Sequence, residues 1–293
     1  MTNMYSYFLI TFALFSTVAT YNVSQTNIGV WLSGAAYCGK EQYDKMQLVG
    51  PASGFVVNET LYDRDTDVEG FTGILESSET IYVVLRGSSS VLNWLDDFEL
   101  LMTPYKSFVD CIDCNVHKGF YKSALAIREK TIDSLAQLVQ DYPRFNVVVT
   151  GHSYGAAVAQ LLAMEIEQAG IDVHIYNYGQ PRTGDKNYAV FVNHRIDGYW
   201  RVTHNRDIVP HVPPTHILGY KHSCREIFED SMGILHMCSS TDCEDDECSG
   251  QFSLIQTSGN DHKYYLGHRV SCDESTTNAL SSSLVVKSPT SIF

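Results

Sequence analysis

The chain has 293 residues, of which 44% are hydrophobic and 18% are charged. This composition is ordinary for a globular protein and excludes a chain that is mainly disordered. The 20 basic and 34 acidic side chains give a formal net charge of -14, which argues against a nucleic-acid partner and against electrostatic docking on anionic membranes. The length allows one large domain or two small ones.

The amino-terminal residues have the pattern of an export signal. An uncharged start is followed by an apolar run over residues 8–19, and Ala19 fits a cleavage position. The run of about 12 residues is too short for a membrane helix, which needs roughly 20. We therefore predict a signal peptide over residues 1–19, a secreted protein, and a mature chain without a transmembrane segment.

The next part of the chain has the pattern of short strands and one long helix. Residues 55–62, 71–75 and 81–85 are rich in β-branched and aromatic side chains and are separated by Gly, Asp and Ser, which predicts strands joined by turns. Residues 120–140 carry apolar side chains at helical spacing and end before Pro143, which predicts a helix.

A strand, a turn and a helix follow. The Val-rich run over residues 145–150 is typical of a buried strand, and residues 156–168 favour a helix that ends at Gly170. Residues 173–178 and 199–202 predict two more strands.

Strands that alternate with helices predict an α/β fold with a mostly parallel central sheet flanked by helices. The chain shows no internal repeat and no long low-complexity tract. We predict a single domain over residues 20–280. Residues 281–293 are Ser-rich and are predicted to form a flexible tail.

Between that Val-rich strand and the following helix lies Gly151-His152-Ser153-Tyr154-Gly155, the Gly-x-Ser-x-Gly pattern of a nucleophile elbow. Glycine suits the flanking positions because strand and helix must approach closely around a strained turn. At a helix start, backbone N–H groups and the positive end of the helix dipole stabilise the oxyanion that forms when an ester is attacked. We therefore predict Ser153 as nucleophile and the Tyr154 N–H as an oxyanion donor; a chance Gly-Ser-Gly turn is the alternative.

A serine nucleophile needs a histidine base that a carboxylate orients, and in this motif the chain order is Ser, acid, His. Asp207 is the preferred acid because it follows a strand and begins a loop, whereas Asp185 lies in a turn and is expected to be solvated or to order the loop. His262 is the preferred base because it comes latest, in a loop near Cys272. We expect His152 to pack or to form hydrogen bonds. The histidines expected to be structural or exposed are His204, His211, His216, His222, His236 and His268.

Eight cysteines form an even set, which favours disulfides in a chain predicted to be exported. They are Cys38, Cys111, Cys114, Cys224, Cys238, Cys243, Cys248 and Cys272. A zinc site is the alternative, built from Cys111-x-x-Cys114 and the cluster over residues 238–248, but it lacks a second Cys-x-x-Cys. We expect no metal. Glycan acceptor patterns begin at Asn22 and Asn58.

Several stretches together resemble the class 3 lipase family, which comprises the filamentous-fungal triacylglycerol lipases and their relatives. They lie in the family order over roughly residues 30–272, and the combination is more specific than any single motif. They are Arg86-Gly-Ser-Ser-Ser90 with Asn93-Trp94, Val116-His-Lys-Gly-Phe120, Gly151 to Gly155, Gly179-Gln-Pro-Arg182, Arg206-Asp-Ile-Val-Pro-His-Val-Pro213 and Asp261-His262.

The resemblance implies an α/β-hydrolase fold in which Ser153, Asp207 and His262 form the triad. It also implies Ser88 as the second oxyanion-hole residue. Disulfides like Cys38–Cys272 and Cys111–Cys114 occur in secreted members, and the other four cysteines allow three pairings. The chain departs from the family at Tyr154, where Leu is more usual, and at Asp185, where Asn is frequent.

Apolar residues recur at three- and four-residue spacing after Ser88, which indicates a short amphipathic helix. In the resembled lipases this segment is a lid that covers the triad and moves away at a lipid–water interface. A helix packed in the core is the alternative. The predicted lid residues are Val91, Trp94, Leu95 and Phe98.

The resemblance implies a secreted serine esterase that hydrolyses carboxylic esters of lipids, triacylglycerol first, without a cofactor. Phospholipase A1 and feruloyl-type esterase are alternatives because they use the same triad chemistry. The apolar lid favours a long acyl chain, and the charge of -14 favours neutral droplets over anionic bilayers. A non-catalytic lipid-binding protein of this fold would lack a triad or oxyanion residue, and none is missing from the sequence. We expect a monomer that acts on a lipid ester at a lipid–water interface.

Overall fold

The computed structural model describes residues 20–90, 99–239, 241, 243–273 and 276. The predicted signal peptide, the predicted Ser-rich tail and the predicted lid lie outside the described residues. The predicted lid residues concerned are Val91, Trp94, Leu95 and Phe98.

The helices and strands of the described residues alternate along the chain. The α-helices are α1 (Val23–Ala35), α2 (Lys118–Asp141), α3 (Tyr154–Gln168) and α4 (Lys186–Arg195). The strands of the main sheet are β1 (Val56–Asp63), β2 (Val68–Leu75), β3 (Thr80–Leu85), β6 (Asn146–His152), β7 (His174–Tyr178), β9 (Tyr199–His204), β11 (Glu226–Glu229) and β12 (Leu235–Met237). Shorter strands are β4 (Met102–Pro104), β5 (Asn115–His117), β8 (Gly184–Asp185), β10 (Tyr220–Lys221), β13 (Tyr264–Tyr265) and β14 (His268–Arg269).

The main sheet has the strand order β1-β2-β3-β6-β7-β9-β11-β12. Its centre, from β3 to β11, is parallel, and the outer pairs β1–β2, β2–β3 and β11–β12 are antiparallel. The predicted α/β fold with a mostly parallel sheet is thus confirmed. Parallel strands place their carboxyl ends at one edge of the sheet, where ligands bind in open α/β folds.

Helices cover both faces of this sheet. Along β3, Ile81, Val83 and Leu85 pack in one core with α2 and α3, and Tyr82 and Val84 pack in a second core with α1. Because both faces are buried, the strands are continuously apolar, which is why the Val-rich pattern identified β6.

Helix α1 was not predicted from the sequence. Its buried face includes the polar residues Thr26 and Ser33. The Thr26 hydroxyl donates to the carbonyl of Asn22 at 2.9 Å, and the Tyr178 hydroxyl donates to the carbonyl of Thr26. Ser33 Oγ lies 3.3 Å from Thr150 Oγ1. Gly29 permits this approach, since a Cβ there would lie 2.6 Å from the Tyr178 hydroxyl. Among the described residues, no helix has the length and apolar character needed to span a membrane.

All eight cysteines are paired. The two disulfides that the family resemblance implied, Cys38–Cys272 and Cys111–Cys114, are present. The remaining cysteines pair as Cys224–Cys243 and Cys238–Cys248. The alternative zinc site would have used the same sulfur atoms as ligands, but in the structure these atoms are bonded to one another in disulfides.

Candidate active site

The Gly-x-Ser-x-Gly segment forms a tight turn between β6 and α3. Ser153 has φ 61° and ψ -130°, a region that L-residues rarely adopt, and its N–H donates to the carbonyl of Tyr178 at 2.9 Å. A Cβ on Gly151 would lie 2.6 Å from the backbone of Gly155, and a Cβ on Gly155 would lie 2.5 Å from the carbonyl oxygen of Leu85. The two glycines therefore allow the strand–turn–helix geometry that the motif predicts.

The buried side chains of Asp207 and His262 form a hydrogen-bonded pair. His262 Nδ1 lies 2.7 Å from Asp207 Oδ2, and the hydroxyl of Tyr265 donates to the same oxygen. Asp207 Oδ1 accepts from the N–H of Val209 at 2.8 Å. Since the carboxylate accepts, Nδ1 carries the hydrogen and Nε2 of the neutral ring is left as the base.

Two opposing effects set the pKa of Asp207. Burial raises the pKa, but the charge of His262 and the hydrogen bonds from His262 and Tyr265 outweigh it, so the pKa lies below its ordinary value. Asp207 is therefore ionised at neutral pH and can stabilise an imidazolium at His262.

Gly179 joins the elbow to this pair. It has φ 56°, and a Cβ there would lie 2.8 Å from His262 Cε1 and 2.9 Å from Asp207 Oδ2. The residue before it, Tyr178, accepts the Ser153 N–H, so the turn and the pair meet at this point. Ser153 Oγ and His262 Nε2 are both buried and without a hydrogen-bond partner among the described residues. A proton relay would have to join these two atoms, and such bonds often tighten only when substrate binds.

His152 supports His262 from behind. The two rings lie with centroids 4.3 Å apart, and His152 Nε2–H donates to the carbonyl of His262 at 2.8 Å. Nδ1 must then accept, and Tyr37 donates its hydroxyl to it at 2.7 Å. Burial, together with the charge of His262, lowers the pKa of His152 to about 3, so this ring stays neutral and cannot serve as the base at neutral pH.

Tyr37 also contacts the loop that carries the predicted oxyanion residue. Its hydroxyl lies where a Cβ of Gly87 would be, and it accepts a backbone hydrogen bond from Gly87. Ser88, next in the chain, is half-buried and lines a cavity of about 530 Å³ together with Tyr37 and His262. Tyr37 and Tyr265 could not be predicted from the sequence, because no motif marks them. Tyr37 is marked only by its position next to Cys38, and Tyr265 only by its position three residues after His262.

Tyr154 is the first residue of α3. Its hydroxyl donates to Ser123 Oγ at 2.5 Å, and its ring packs edge-on against Phe120. The side chain is thereby committed to the core, and the backbone N–H remains at the turn. The oxyanion assignments of Ser88 and Tyr154 stay predictions.

Polar contacts fix the loop that carries His262. His204 Nδ1–H donates to the carbonyl of Asp261 at 2.9 Å. The Asp261 carboxylate accepts from Asn205 Nδ2 at 3.0 Å and from the N–H of Arg206 at 3.1 Å. His204 is thus a structural residue, as expected, and the Asp261 carboxylate is held against residues 205 and 206.

A half-buried ion pair fixes the disulfide-rich loop after β12. Arg182 binds both carboxylate oxygens of Glu244, at 3.0 and 2.6 Å, and donates to the carbonyls of His211 and Pro213. Burial would raise the pKa of Glu244, but the neighbouring His222 and Arg182 hold it well below its ordinary value. Burial also lowers the pKa of His222, so Arg182 supplies the lasting positive charge.

Three other predicted residues lie outside this site. Asp185, the rival acid, caps α4 by accepting from the N–H of Tyr188 at 2.9 Å and also accepts from the N–H of Asn115. Its loop-ordering role is therefore what the structure supports. Asn22 and Asn58 are exposed, and their glycosylation stays a prediction.

The chain is similar to known lipases in sequence. The family model described as Lipase (class 3) matches residues 82–217. A lipase of Rhizomucor miehei is 35% identical over 199 residues, 66% of this chain and 53% of that protein. A secreted mono- and diacylglycerol lipase of Fusarium solani is 32% identical over 199 residues, 67% of this chain and 55% of that protein. The chain thus spans about half the length of the curated relatives it matches.

The fold has a solved counterpart. A triacylglycerol lipase whose catalytic centre is formed by a serine-protease triad superposes with a TM-score of 0.77 and 29% identity, over 85% of this chain and 95% of that chain. The sequence motifs, the sheet order and these matches agree. The chain therefore belongs to the class 3 lipase family and has the α/β-hydrolase fold of its fungal members.

Proposed function

We propose that this protein is a serine esterase that hydrolyses carboxylic esters of lipids, with Ser153 as nucleophile, His262 as base and Asp207 as the orienting acid. The observation that carries the proposal is the buried 2.7 Å bond between His262 Nδ1 and Asp207 Oδ2, which leaves Nε2 as the base. Neither Nε2 nor Ser153 Oγ has a hydrogen-bond partner among the described residues. The assigned chemistry needs no cofactor.

The reaction begins when His262 Nε2 takes the proton of Ser153 Oγ and the oxygen attacks the ester carbonyl. The negative charge that develops on the carbonyl oxygen is stabilised by the backbone N–H groups of Tyr154 and Ser88. His262 then donates its proton to the leaving alcohol, and an acyl-Ser153 remains. Water, activated by the same ring, releases the acid.

Asp207 acts through His262 in both halves of the reaction. Its carboxylate fixes the tautomer of the ring and stabilises the imidazolium, and Tyr265 and Val209 hold the carboxylate in place. Loss of one oxyanion donor is expected to cost about 2.7 to 4 kcal/mol of transition-state stabilisation. Ser88 can be tested on that scale with a Ser88→Pro substitution, which removes the backbone N–H.

The relatives support a glycerolipid as substrate, since they include a triacylglycerol lipase and a mono- and diacylglycerol lipase. A secreted relative and four disulfides support export. We take the lid over residues 91–98 and a monomeric state as parts of the same proposal.

The test is a Ser153→Ala variant assayed on p-nitrophenyl esters of increasing chain length and on tributyrin. Ester turnover should fall by about 10⁶-fold, as loss of a serine nucleophile does elsewhere, while the urea midpoint stays near that of the parent protein. Ser53→Ala, at an exposed position, is the matched control. A fluorophosphonate probe should label the parent and the control only; equal labelling of Ser153→Ala, or an undiminished rate, would refute the assignment. A lipid-binding protein without catalysis would leave all three unlabelled.

A further inference from the structure

The cavity beside His262 has an unusual charge for this chain. It encloses about 530 Å³ and is lined by Ser88, His152 and His262 on the catalytic side. Among the described residues, the permanently charged side chains that line the cavity are those of Lys263 and Arg269, and no aspartate or glutamate lines it. In a protein of net charge -14, the cavity beside His262 is therefore locally basic.

The two cations come from one small hairpin. Lys263 directly follows His262, and Arg269 pairs with Tyr264 across β13 and β14. The N–H of Val270 donates to the carbonyl of Lys263 at 2.9 Å. This bond and the strand pairing hold the backbone at Lys263 and Arg269 close to His262.

Both cations are available to a ligand. Their side chains are exposed, and neither forms an ion pair with any residue in the described part of the chain. Lys263 Nζ has a neutral contact, 3.4 Å from Asn260 Oδ1. The nearest carboxylates in the sequence are those of Asp261 and Asp273. Asp261 accepts a hydrogen bond from Asn205 and Asp273 accepts one from Ser271, and neither aspartate lines the cavity.

The chemistry fixes which part of the substrate meets this hairpin. His262 has to protonate the oxygen of the leaving alcohol, so the alcohol part of the ester lies beside the imidazole. The residues that flank His262 in the cavity are then the ones next to the alcohol part. This step depends on the function proposed above.

We propose that Lys263 and Arg269 form a subsite for the phosphodiester of a glycerophospholipid, whose acyl ester the enzyme hydrolyses to a fatty acid and a lysophospholipid. Phosphate fits this site because the Arg269 guanidinium can bind two phosphate oxygens and Lys263 adds a point charge. Ser88 and Ser89 line the same cavity, and their hydroxyls add hydrogen-bond donors. In a glycerophospholipid the phosphate lies only a few bonds from the ester oxygen, so one molecule can reach both groups.

The subsite refines an expectation drawn from total charge. A net charge of -14 favours neutral lipid surfaces, because it acts over the whole protein. A cavity with two cations acts on the one molecule that enters it, where the local potential decides. The substrate preference should therefore be measured on monomeric short-chain lipids, which present no charged surface.

The test compares the parent protein with a Lys263→Gln, Arg269→Gln double variant. The substrates are dihexanoylphosphatidylglycerol and tributyrin, each below the concentration at which it aggregates. Each cationic side chain should raise kcat/KM for the phospholipid about threefold, which is the effect of an exposed ion pair. Loss of both should therefore lower kcat/KM for the phospholipid about tenfold. The value for tributyrin should stay within about twofold, since no charge on that substrate meets the hairpin.

Two controls isolate the charge. A Lys45→Gln, Arg144→Gln variant makes the same change in net charge at exposed positions that do not line the cavity, and it should leave both rates unchanged. A Lys263→Arg, Arg269→Lys variant keeps both charges and should keep most of the phospholipid activity. An equal loss on both substrates in the Gln variant, or no loss on either, would overturn the subsite. A parent protein that turns over neither ester would instead overturn the esterase function itself.

Discussion

The disulfide between Cys38 and Cys272 should contribute more to stability than any other in the protein. It joins residues 234 positions apart, whereas Cys111 and Cys114 are 3 apart. A cross-link stabilises the fold mainly by restricting the unfolded chain, and the effect grows with the logarithm of the closed loop. Worked for these two loops, replacing both cysteines by serine should cost about 5.5 kcal/mol at the long loop and about 2 kcal/mol at the short one.

The assay is urea unfolding of Cys38→Ser, Cys272→Ser and of Cys111→Ser, Cys114→Ser, followed by tryptophan fluorescence and by ester turnover. The first variant should also lose activity before it unfolds, because Cys38 directly follows Tyr37, whose hydroxyl supports His152. The second variant should keep the parent rate. If the short-loop variant lost as much stability as the long-loop one, loop closure would not be the origin of the difference.

Three further changes test the site and its supports. Tyr265→Phe removes a hydrogen bond that lowers the pKa of Asp207, so kcat/KM should fall about tenfold at neutral pH and activity should fail at a higher pH on the acid side. Gly179→Ala places a Cβ within 2.9 Å of Asp207 at a positive φ, and should cost about 2 to 4 kcal/mol of stability along with most activity, measured by urea unfolding and tributyrin hydrolysis. The pKa of Glu244 is lower in the folded protein than the ordinary glutamate value of about 4.3. The ion pair with Arg182 therefore stabilises the folded state at a pH above that value, and this stabilisation is lost as the pH falls below it. Glu244→Gln should therefore lower stability at pH 7 and flatten its decline below about pH 4, as followed by thermal unfolding.

Each of these has an outcome that contradicts it. An acid limb of Tyr265→Phe that coincides with that of the parent would mean that the hydroxyl does not act on Asp207. A fully active Gly179→Ala would mean that the pair tolerates a side chain at this point. An unchanged acid dependence in Glu244→Gln would place the acid sensitivity in other carboxylates.

The sequence predicted the elements whose local pattern of apolar residues matches their burial. The predicted strand 145–150 is observed as Asn146–His152, and the predicted helix 156–168 as Tyr154–Gln168. Helix α1 was missed because polar and small residues lie on its buried face, among them Thr26 and Ser33. The Ser33 hydroxyl and the Thr26 carbonyl have partners that are far away in the chain, Thr150 and Tyr178. Local spacing cannot reveal a face that only tertiary hydrogen bonds make compatible with burial.

The candidate site was predictable to a similar extent. Ser153 follows from a local motif, and Asp207 and His262 follow from chain order and the family resemblance. Tyr265 and Tyr37 could not be found in this way, because each acts through a hydroxyl that reaches its partner only in the folded chain. The pairing of Cys224 with Cys243 likewise depends on the fold, since three pairings fit the sequence equally.

Helix α1 also constrains how the molecule folds. It is the first element of the described chain to be synthesised, yet it bonds to segments made much later. Ser33 contacts Thr150, which is 117 positions further along the chain, and Thr26 contacts Tyr178, which is 152 positions further along. Contacts between such distant segments form slowly, because a long loop has to close before they contribute. The helix must therefore wait for β6 and β7 before it can dock. Tyr37, two residues after the helix, can bond to His152 only once this has happened.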